Sequence, residues 1–433
     1  MAAVRIHPAG ALRGTLRVPP DKSLTHRALL LGAVSDGPVR VARPLESADT
    51  AATLGAIQSC AVRVDGDLGD EIVIHGVGLR GLRAPGRIDC GNSGTLMRLI
   101  MGILVGQRSG TVVLDGDASL SRRPMARVAD PLRAAGAAIS TAPGGLPPVE
   151  VTAGMPLTGT VHDLPVASAQ VKSAALLAGL FAEGETVVSE PAPSRDHTER
   201  MLSAAGVSLT GEGLTRRLTG PVDGIQLPDL EVPGDFSSAA PFLAAGALIP
   251  GSEITLQGVN LNPARAGLLE VMRRMGADVS VASPRRVAGE PCGDIVVRGG
   301  AELVAASVEA PEGPSLIDEL PLVALLGAHA QGVTVVTGAA ELRVKETDRI
   351  ATTSAALEGI GLRLAARPDG FTVEGPGTIT GGRVDAAGDH RLAMLGAVAA
   401  LASGTGVAIE DFACVAVSYP GFARDLATLG AAA

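Results

Sequence analysis

A chain of 433 residues, 46% of them hydrophobic, exceeds what one apolar core usually serves and points to two domains of about 200 residues each. With no Trp, one Tyr, six Phe and a net charge of −9, it has neither aromatic platforms for bases nor a basic stripe, which argues against a nucleic-acid surface. Cys60, Cys90, Cys292 and Cys414 are widely spaced and form no CxxC pair, so a disulfide framework and a zinc site are both disfavoured and a cytoplasmic protein is expected.

The first segment, MAAVRIHPAGALRGTLRV, has no apolar run of the signal-peptide kind, and its strands, up to about Val18, are expected to pack with the C-terminal half. From there one pattern recurs, a glycine followed by a β-branched strand. The copies are GPVRV at Gly37, GTVVL at Gly110, GETVV at Gly184, GSEITL at Gly251, GVTVV at Gly332 and GVAIE at Gly406, separated by 73, 74, 67, 81 and 74 residues. A helix of small residues precedes each strand, and a second, amphipathic helix follows, as in RPMARVADPLRAAGA, NPARAGLLEVMRRMGA and KETDRIATTSAALEGIG. Each repeat therefore reads as βαβαββ, a mixed α/β (α+β) class. The match of VPPDKSLTHRALLLGA from Val18 to VPGDFSSAAPFLAAGA from Val232 divides the chain into two halves of three repeats. The expected domains are 20–234, and 1–19 with 235–433. The uncharged stretch Leu392–Ile409 is interrupted by Ser403-Gly404-Thr405-Gly406, so a membrane span is not expected.

In every repeat a polar cluster falls at the start of the first helix: Asp21-Lys22-Ser23, Gly91-Asn92-Ser93-Gly94-Thr95, Ser168-Ala169-Gln170, Asp235-Phe236-Ser237, Asp318-Glu319 and Asp389-His390-Arg391. Small polar residues at such positions are ordinary N-caps. Capping does not explain Lys22, Arg27, Lys172 and Arg391, cations placed where the helix dipole disfavours them, and an anionic partner is expected for each. A helix start with Lys or Arg added is a phosphate or carboxylate site. Only three of the 36 basic residues are lysines, Lys22, Lys172 and Lys345, so each is a candidate for a role that a planar guanidinium cannot fill. Further cations come from SLSRRPMAR (Arg122, Arg123, Arg127), SEPAPSRDHTER (Arg195, Arg200) and RVKETDR. In the last of these, Lys345 and Arg349 read as a like-charge i,i+4 pair. Asp318 beside an apolar run and Glu346 between basic neighbours are the candidate acid and base. His26, His197 and His390 have no metal-ligand spacing, and no Walker loop or GxGxxG fingerprint appears.

The ordered set DKSLTHR, GNSGT, RPM, SAQVKSA, RVKETDR and GDHRLAM resembles the 5-enolpyruvylshikimate-3-phosphate synthase family of enolpyruvyl transferases over essentially the whole chain. The resemblance implies two inside-out α/β barrel domains of three repeats each, with the active site in the cleft between them. It also implies transfer of the enolpyruvyl group of phosphoenolpyruvate to the 5-hydroxyl of shikimate 3-phosphate, in aromatic amino-acid biosynthesis, by a cytoplasmic monomer without cofactor or metal that glyphosate inhibits. Lys22, Ser23, Arg27, Ser168, Gln170, Arg195, Asp318 and Lys345 would hold shikimate 3-phosphate. Lys22, Gly94, Arg123, Gln170, Arg349 and Arg391 would hold phosphoenolpyruvate, with Asp318, Glu346 and Lys22 catalytic. Lys172 has no implied substrate contact, so its replacement by Arg is expected to be tolerated. Val417 stands where some members carry Lys, and Ala169 where others carry Ser. The sister transferase acting on UDP-N-acetylglucosamine usually has a Lys-Asn pair and a loop cysteine, against Lys22-Ser23 and no cysteine between Cys90 and Cys292 here. A silent anion-binding scaffold would have lost Asp318 or Glu346.

Overall fold

A computed structural model describes residues 3–431. They form two compact units, one of Pro20–Pro233 with Arg286–Glu290 (the N-half unit), the other of the residues up to Pro19, Gly234–Arg285 and Pro291 onward (the C-half unit).

The chain opens with β1 (Val4–Ile6) and β2 (Arg13–Leu16), both in the C-half unit. The first repeat follows with α1 (Lys22–Ala33), β3 (Pro38–Ala42), α2 (Ala48–Ser59), β4 (Arg63–Gly66) and β5 (Glu71–His75). The second holds β6 (Arg87–Asp89), α3 (Gly94–Leu104), β7 (Thr111–Asp115), α4 (Ala126–Ala134), β8 (Ala138–Ala142) and β9 (Leu146–Thr152). The third holds β10 (Val161–Asp163), α5 (Ala169–Gly179), β11 (Gly184–Ser189), α6 (His197–Ala204), β12 (Leu209–Thr210) and β13 (Thr215–Gly220), and β14 (Leu230–Glu231) then returns to β3.

The fourth repeat has α7 (Phe236–Leu248), β15 (Glu253–Asn260), α8 (Gly267–Arg274), β16 (Asp278–Val287) and β17 (Glu290–Arg298). The fifth has β18 (Ser307–Val308), α9 (Leu320–His329), β19 (Gly332–Val336), α10 (Arg349–Glu358), β20 (Leu364–Arg367) and β21 (Gly370–Gly375). The sixth has β22 (Gly382–Asp385), α11 (His390–Leu401), β23 (Val407–Glu410) and α12 (Phe422–Thr428).

Each repeat owns one sheet. The order β6-β7-β9-β8, with β6 parallel to β7 and the rest antiparallel, recurs as β10-β11-β13-β12 and β18-β19-β21-β20. The first and fourth sheets borrow their parallel strand from a distant part of the chain: β14 lies beside β3 with Leu230 opposite Val41, and β2 beside β15 with Arg13 opposite Glu253. The sixth repeat departs from βαβαββ. Among the described residues its sheet has three strands, β1-β23-β22, and β1 from the start of the chain takes the place of a hairpin, with Val4 opposite Ile409.

The first helix of each repeat is apolar beyond the polar side chains of its opening turns, and α1, α3 and α5, like α7, α9 and α11, are buried along nearly their whole length. A helix with no polar face must sit at the centre of a core. Three such helices fill the interior of each unit while the sheets and the one-faced helices α2, α4, α8 and α10 lie outside. Small residues let the central helices approach closely. A Cβ on Gly102 of α3 would come within 2.3 Å of the Ala174 carbonyl oxygen of α5. Each fully buried Leu, Ile or Met in these helices contributes about 1.5–3 kcal/mol.

One predicted helix begins later than its pattern suggested. Asp348 accepts from the backbone N–H of Ile350 at 3.2 Å and of Ala351 at 3.1 Å, so it caps α10, and Lys345 lies upstream in extended backbone. Lys345 and Arg349 are therefore not a helical i,i+4 pair.

Candidate active site

Side-chain hydrogen bonds tie the first turns of the central helices of the N-half unit to one another, Gln170 to Thr95 and Arg98, and Arg27 to Ser173. In the N-half unit the caps are Asp21, whose carboxylate accepts from Leu24 N–H at 2.9 Å, Ser93, which accepts from Leu96 N–H at 3.2 Å, and Ser168, which accepts from Val171 N–H at 3.5 Å. Gln170 ties α5 to α3: its amide donates to Thr95 Oγ1 at 3.0 Å and its carbonyl accepts from Arg98 Nη1 at 2.8 Å. Arg98 is buried in the otherwise apolar α3, and burial, together with Arg127 and Arg123, lowers its pKa to about 10. Arg123 bonds to Asn92 and, at 3.2 Å, to Ser119 Oγ, which sets it beside the Gly94 backbone.

Arg27 is also buried. Its Nε donates to Thr198 Oγ1 at 2.7 Å, Nη1 to the Ser23 carbonyl at 3.0 Å and Nη2 to Ser173 Oγ at 3.0 Å. Burial lowers its pKa to about 10, against the pull of Glu199, Asp21 and Glu290. Lys22 is half exposed and paired with Asp49 at 2.9 Å. Arg195 stands partly buried in the loop before α6.

In the C-half unit Asp318, just before α9, is the hub. Arg265 lies 3.1 Å from its carboxylate, Arg349 3.2 Å, Arg391 3.7 Å and Lys345 3.9 Å. Arg349 also contacts Glu346 at 2.5 Å and Asp389 at 2.7 Å, and burial, which alone would lower its pKa, is outweighed by these carboxylates. Asp389 is buried, yet its hydrogen bond from Arg349 holds its pKa below the usual carboxylate value. Arg391 reaches Glu319 at 3.3 Å, and Glu319 accepts the Ser237 hydroxyl from the start of α7. Glu346 is half exposed at the edge of this group. Among the described residues no His, Cys, Asp and Glu cluster suits a metal, and no helix is long and apolar enough to cross a membrane.

The sequence-predicted residues thus fall into two groups, Lys22, Ser23, Arg27, Gly94, Arg123, Ser168, Gln170 and Arg195 in the N-half unit and Asp318, Lys345, Glu346, Arg349 and Arg391 in the C-half unit. The anionic partners expected for the helix-start cations include carboxylates of the chain itself: Asp49 for Lys22, Glu190 and Glu199 for Lys172, Glu319 and Asp318 for Arg391. The expected tolerance of Lys172 to Arg does not fit this structure, because its ammonium is buried between two carboxylates. Sequence reasoning passed over Arg98 and Arg265. For Arg98 a signal existed, a lone charge within GTLMRLIMGIL. Val417 is 82% exposed and lies just before the turn that leads to α12.

The family model for EPSP synthase (3-phosphoshikimate 1-carboxyvinyltransferase) matches residues 6–426. The chain belongs to the EPSP synthase family. It is 49% identical over 419 residues to the 3-phosphoshikimate 1-carboxyvinyltransferase of Alkalilimnicola ehrlichii, covering 96% of this chain and 93% of that one. It is 48% identical to the enzyme of the same name from Halorhodospira halophila, with 98% and 96% covered. The EPSP synthase structure from Acinetobacter baumannii superposes with a TM-score of 0.94 at 43% identity, covering all of this chain and 98% of that one.

Proposed function

We propose that this protein is a 3-phosphoshikimate 1-carboxyvinyltransferase, transferring the enolpyruvyl group of phosphoenolpyruvate to the 5-hydroxyl of shikimate 3-phosphate with release of phosphate, in the cytoplasm and as a monomer. The observation that carries the reading is the gathering of Lys345, Arg349 and Arg391 around the Asp318 carboxylate, with Glu346 held on Arg349, in a chain matched to this family along its length. Asp318 takes the hydroxyl proton as the oxygen bonds to C2 of phosphoenolpyruvate, and Glu346 protonates the methylene carbon. The resulting tetrahedral adduct expels phosphate as the bond between C2 and the phosphate oxygen breaks and Glu346 recovers a proton from the new methyl group, and the proton that Asp318 took departs with the phosphate. Cations held in place before the reaction stabilise the charge of the adduct and of the leaving group.

The pairs Lys22–Asp49 and Lys345–Glu341 suit substrate exchange. Exposed ion pairs of this kind are worth at most about 1 kcal/mol, so an arriving phosphate or carboxylate displaces the internal partner at little cost. Arg27 and Arg349 are buried and already oriented, and they provide fixed charge and geometry. Phosphate release measured with phosphoenolpyruvate and shikimate 3-phosphate, run beside UDP-N-acetylglucosamine as acceptor, tests the proposal. Turnover with the first acceptor alone is expected, and turnover only with the second would overturn it.

A further inference from the structure

Lys172, in the first turns of α5, is 3% exposed, and its ammonium lies 2.6 Å from Glu190 Oε2 and 2.8 Å from Glu199 Oε1. Glu190, the residue after β11, uses its other oxygen as well. Oε1 accepts the backbone N–H of Ser168 at 3.0 Å and the hydroxyl of Ser194 at 2.6 Å. One buried carboxylate therefore joins the turn that caps α5, the loop leading to Arg195 and the ammonium of Lys172. Glu199 sits on α6 next to Thr198, whose hydroxyl is bonded to both Arg27 and Ser173.

We propose that Lys172 and Glu190 form a positioning strut that fixes the spacing between Ser168 and Arg195, and so sets the affinity for the phosphorylated substrate. The inference rests on the reading above, in which Ser168 and Arg195 help hold shikimate 3-phosphate. Neither strut residue touches the reacting atoms. The compact ammonium lies within ion-pair distance of two carboxylates at once, an arrangement a planar guanidinium in the same space would not reproduce. It also neutralises negative charge that would otherwise lie unpaired close to where a phosphate dianion binds. Phosphoenolpyruvate has no assigned contact with Ser168 or Arg195, so the strut should act on one substrate and not the other.

The test is steady-state kinetics of full-length Glu190→Ala and Glu190→Gln with each substrate varied in turn, alongside thermal melts. Glu190→Ala removes the acceptor for Ser168 and Ser194, and KM for shikimate 3-phosphate should rise about tenfold or more, the effect of losing hydrogen bonds to a charged group. KM for phosphoenolpyruvate and kcat should stay within about threefold by the same reasoning. Glu190→Gln keeps an acceptor oxygen and should recover most of the affinity. Should Glu190→Ala fail to fold, Ser194→Ala cuts one arm of the strut near the surface and should still raise KM for shikimate 3-phosphate selectively.

An unchanged KM for shikimate 3-phosphate in folded variants, a loss shared equally by both substrates, or a Gln variant no better than Ala would each overturn the strut. Wild-type protein inert toward shikimate 3-phosphate would instead overturn the functional reading on which it rests.

Discussion

Arg349 and Asp389 form an ion pair closed to water, 2.7 Å apart with side chains 1% and 0% exposed, and it binds the first residue of α10 to the cap of α11. Asp389 also accepts the backbone N–H of Arg391 at 3.0 Å, so the same carboxylate orients a second site cation. Removing one partner leaves a buried charge uncompensated, a loss of about 3–5 kcal/mol. Asp389→Ala should show that loss in urea denaturation and lose turnover even where it remains folded.

Acid should destabilise the protein well above the range of ordinary carboxylates. Burial lowers His26 from 6.5 to about 3, and burial with Arg391 lowers His390 to about 4. Both are neutral in the fold at pH 6 and take up protons on unfolding, so the stability they allow is present above pH 6.5 and is lost as pH falls toward their folded values. Each contributes up to about 1.4 kcal/mol per pH unit over that window. The lowered pKa of Asp389 adds a loss in the same direction at lower pH. Denaturation midpoints from pH 7 to 4.5 should fall steadily, and His26→Gln, which leaves Thr53 a partner, should flatten the slope.

Asp318→Asn and Glu346→Gln should each lower kcat by about 10²-fold or more, the scale of a positioned acid or base. They differ in stability. Asp318 is the shared partner of four cations, so its loss should also lower the melting temperature, with partial recovery in phosphate buffer, whereas the half-exposed Glu346 should leave the melt unchanged. Calorimetric binding of shikimate 3-phosphate should survive in Glu346→Gln.

Two lysines should respond to Arg in different ways. Lys22→Arg keeps an exposed cation beside Asp49, so the fold should be intact while turnover falls, because a point charge shared by two substrates is not reproduced by a planar fork. Lys172→Arg enlarges a buried group wedged between Glu190 and Glu199 and should cost about 1–3 kcal/mol of stability. A melt and a kinetic run on both variants separate the two effects.

Gly94→Ala should weaken glyphosate more than phosphoenolpyruvate. The added Cβ would lie 2.8 Å from Arg98 Nη1 and 3.3 Å from Arg123 Nη1, so both guanidiniums must shift, and Arg98 would move against its bond to Gln170. The penalty of about 1–3 kcal/mol for overpacking falls hardest on the ligand that fits most tightly. Inhibition curves at several phosphoenolpyruvate concentrations, for both proteins, check the outcome.

What the sequence disclosed and what it hid divide along the distance over which each residue acts. Asp21, Ser93, Ser168, Asp235 and Asp389 were readable as helix starts because a cap bonds to a neighbour two or three positions away. The glycine-led strands were readable for the same local reason. Lys172 was misjudged because its partners lie on β11's exit and on α6, and no local pattern announces a contact across a core. Arg265 answers to Asp318, 53 residues later, from a segment that reads as an ordinary helix approach. The pairing of Lys345 with Arg349 failed because Asp348 between them starts the helix itself.

The strands β1 and β2 have a consequence for how the chain is made. During synthesis the N-half unit can complete its own sheets once β14 has emerged, since every strand it needs lies between residues 38 and 231. The first two strands have no such opportunity: β2 waits for Glu253–Leu256, and β1 for Val407–Ile409 in the last of the described strands. Closing contacts across such spans is slow and leaves unpaired strand edges open in the meantime. The β1 segment therefore remains without its strand partner until Val407–Ile409 has been synthesised, and its edge stays open for longer than that of any strand in the N-half unit.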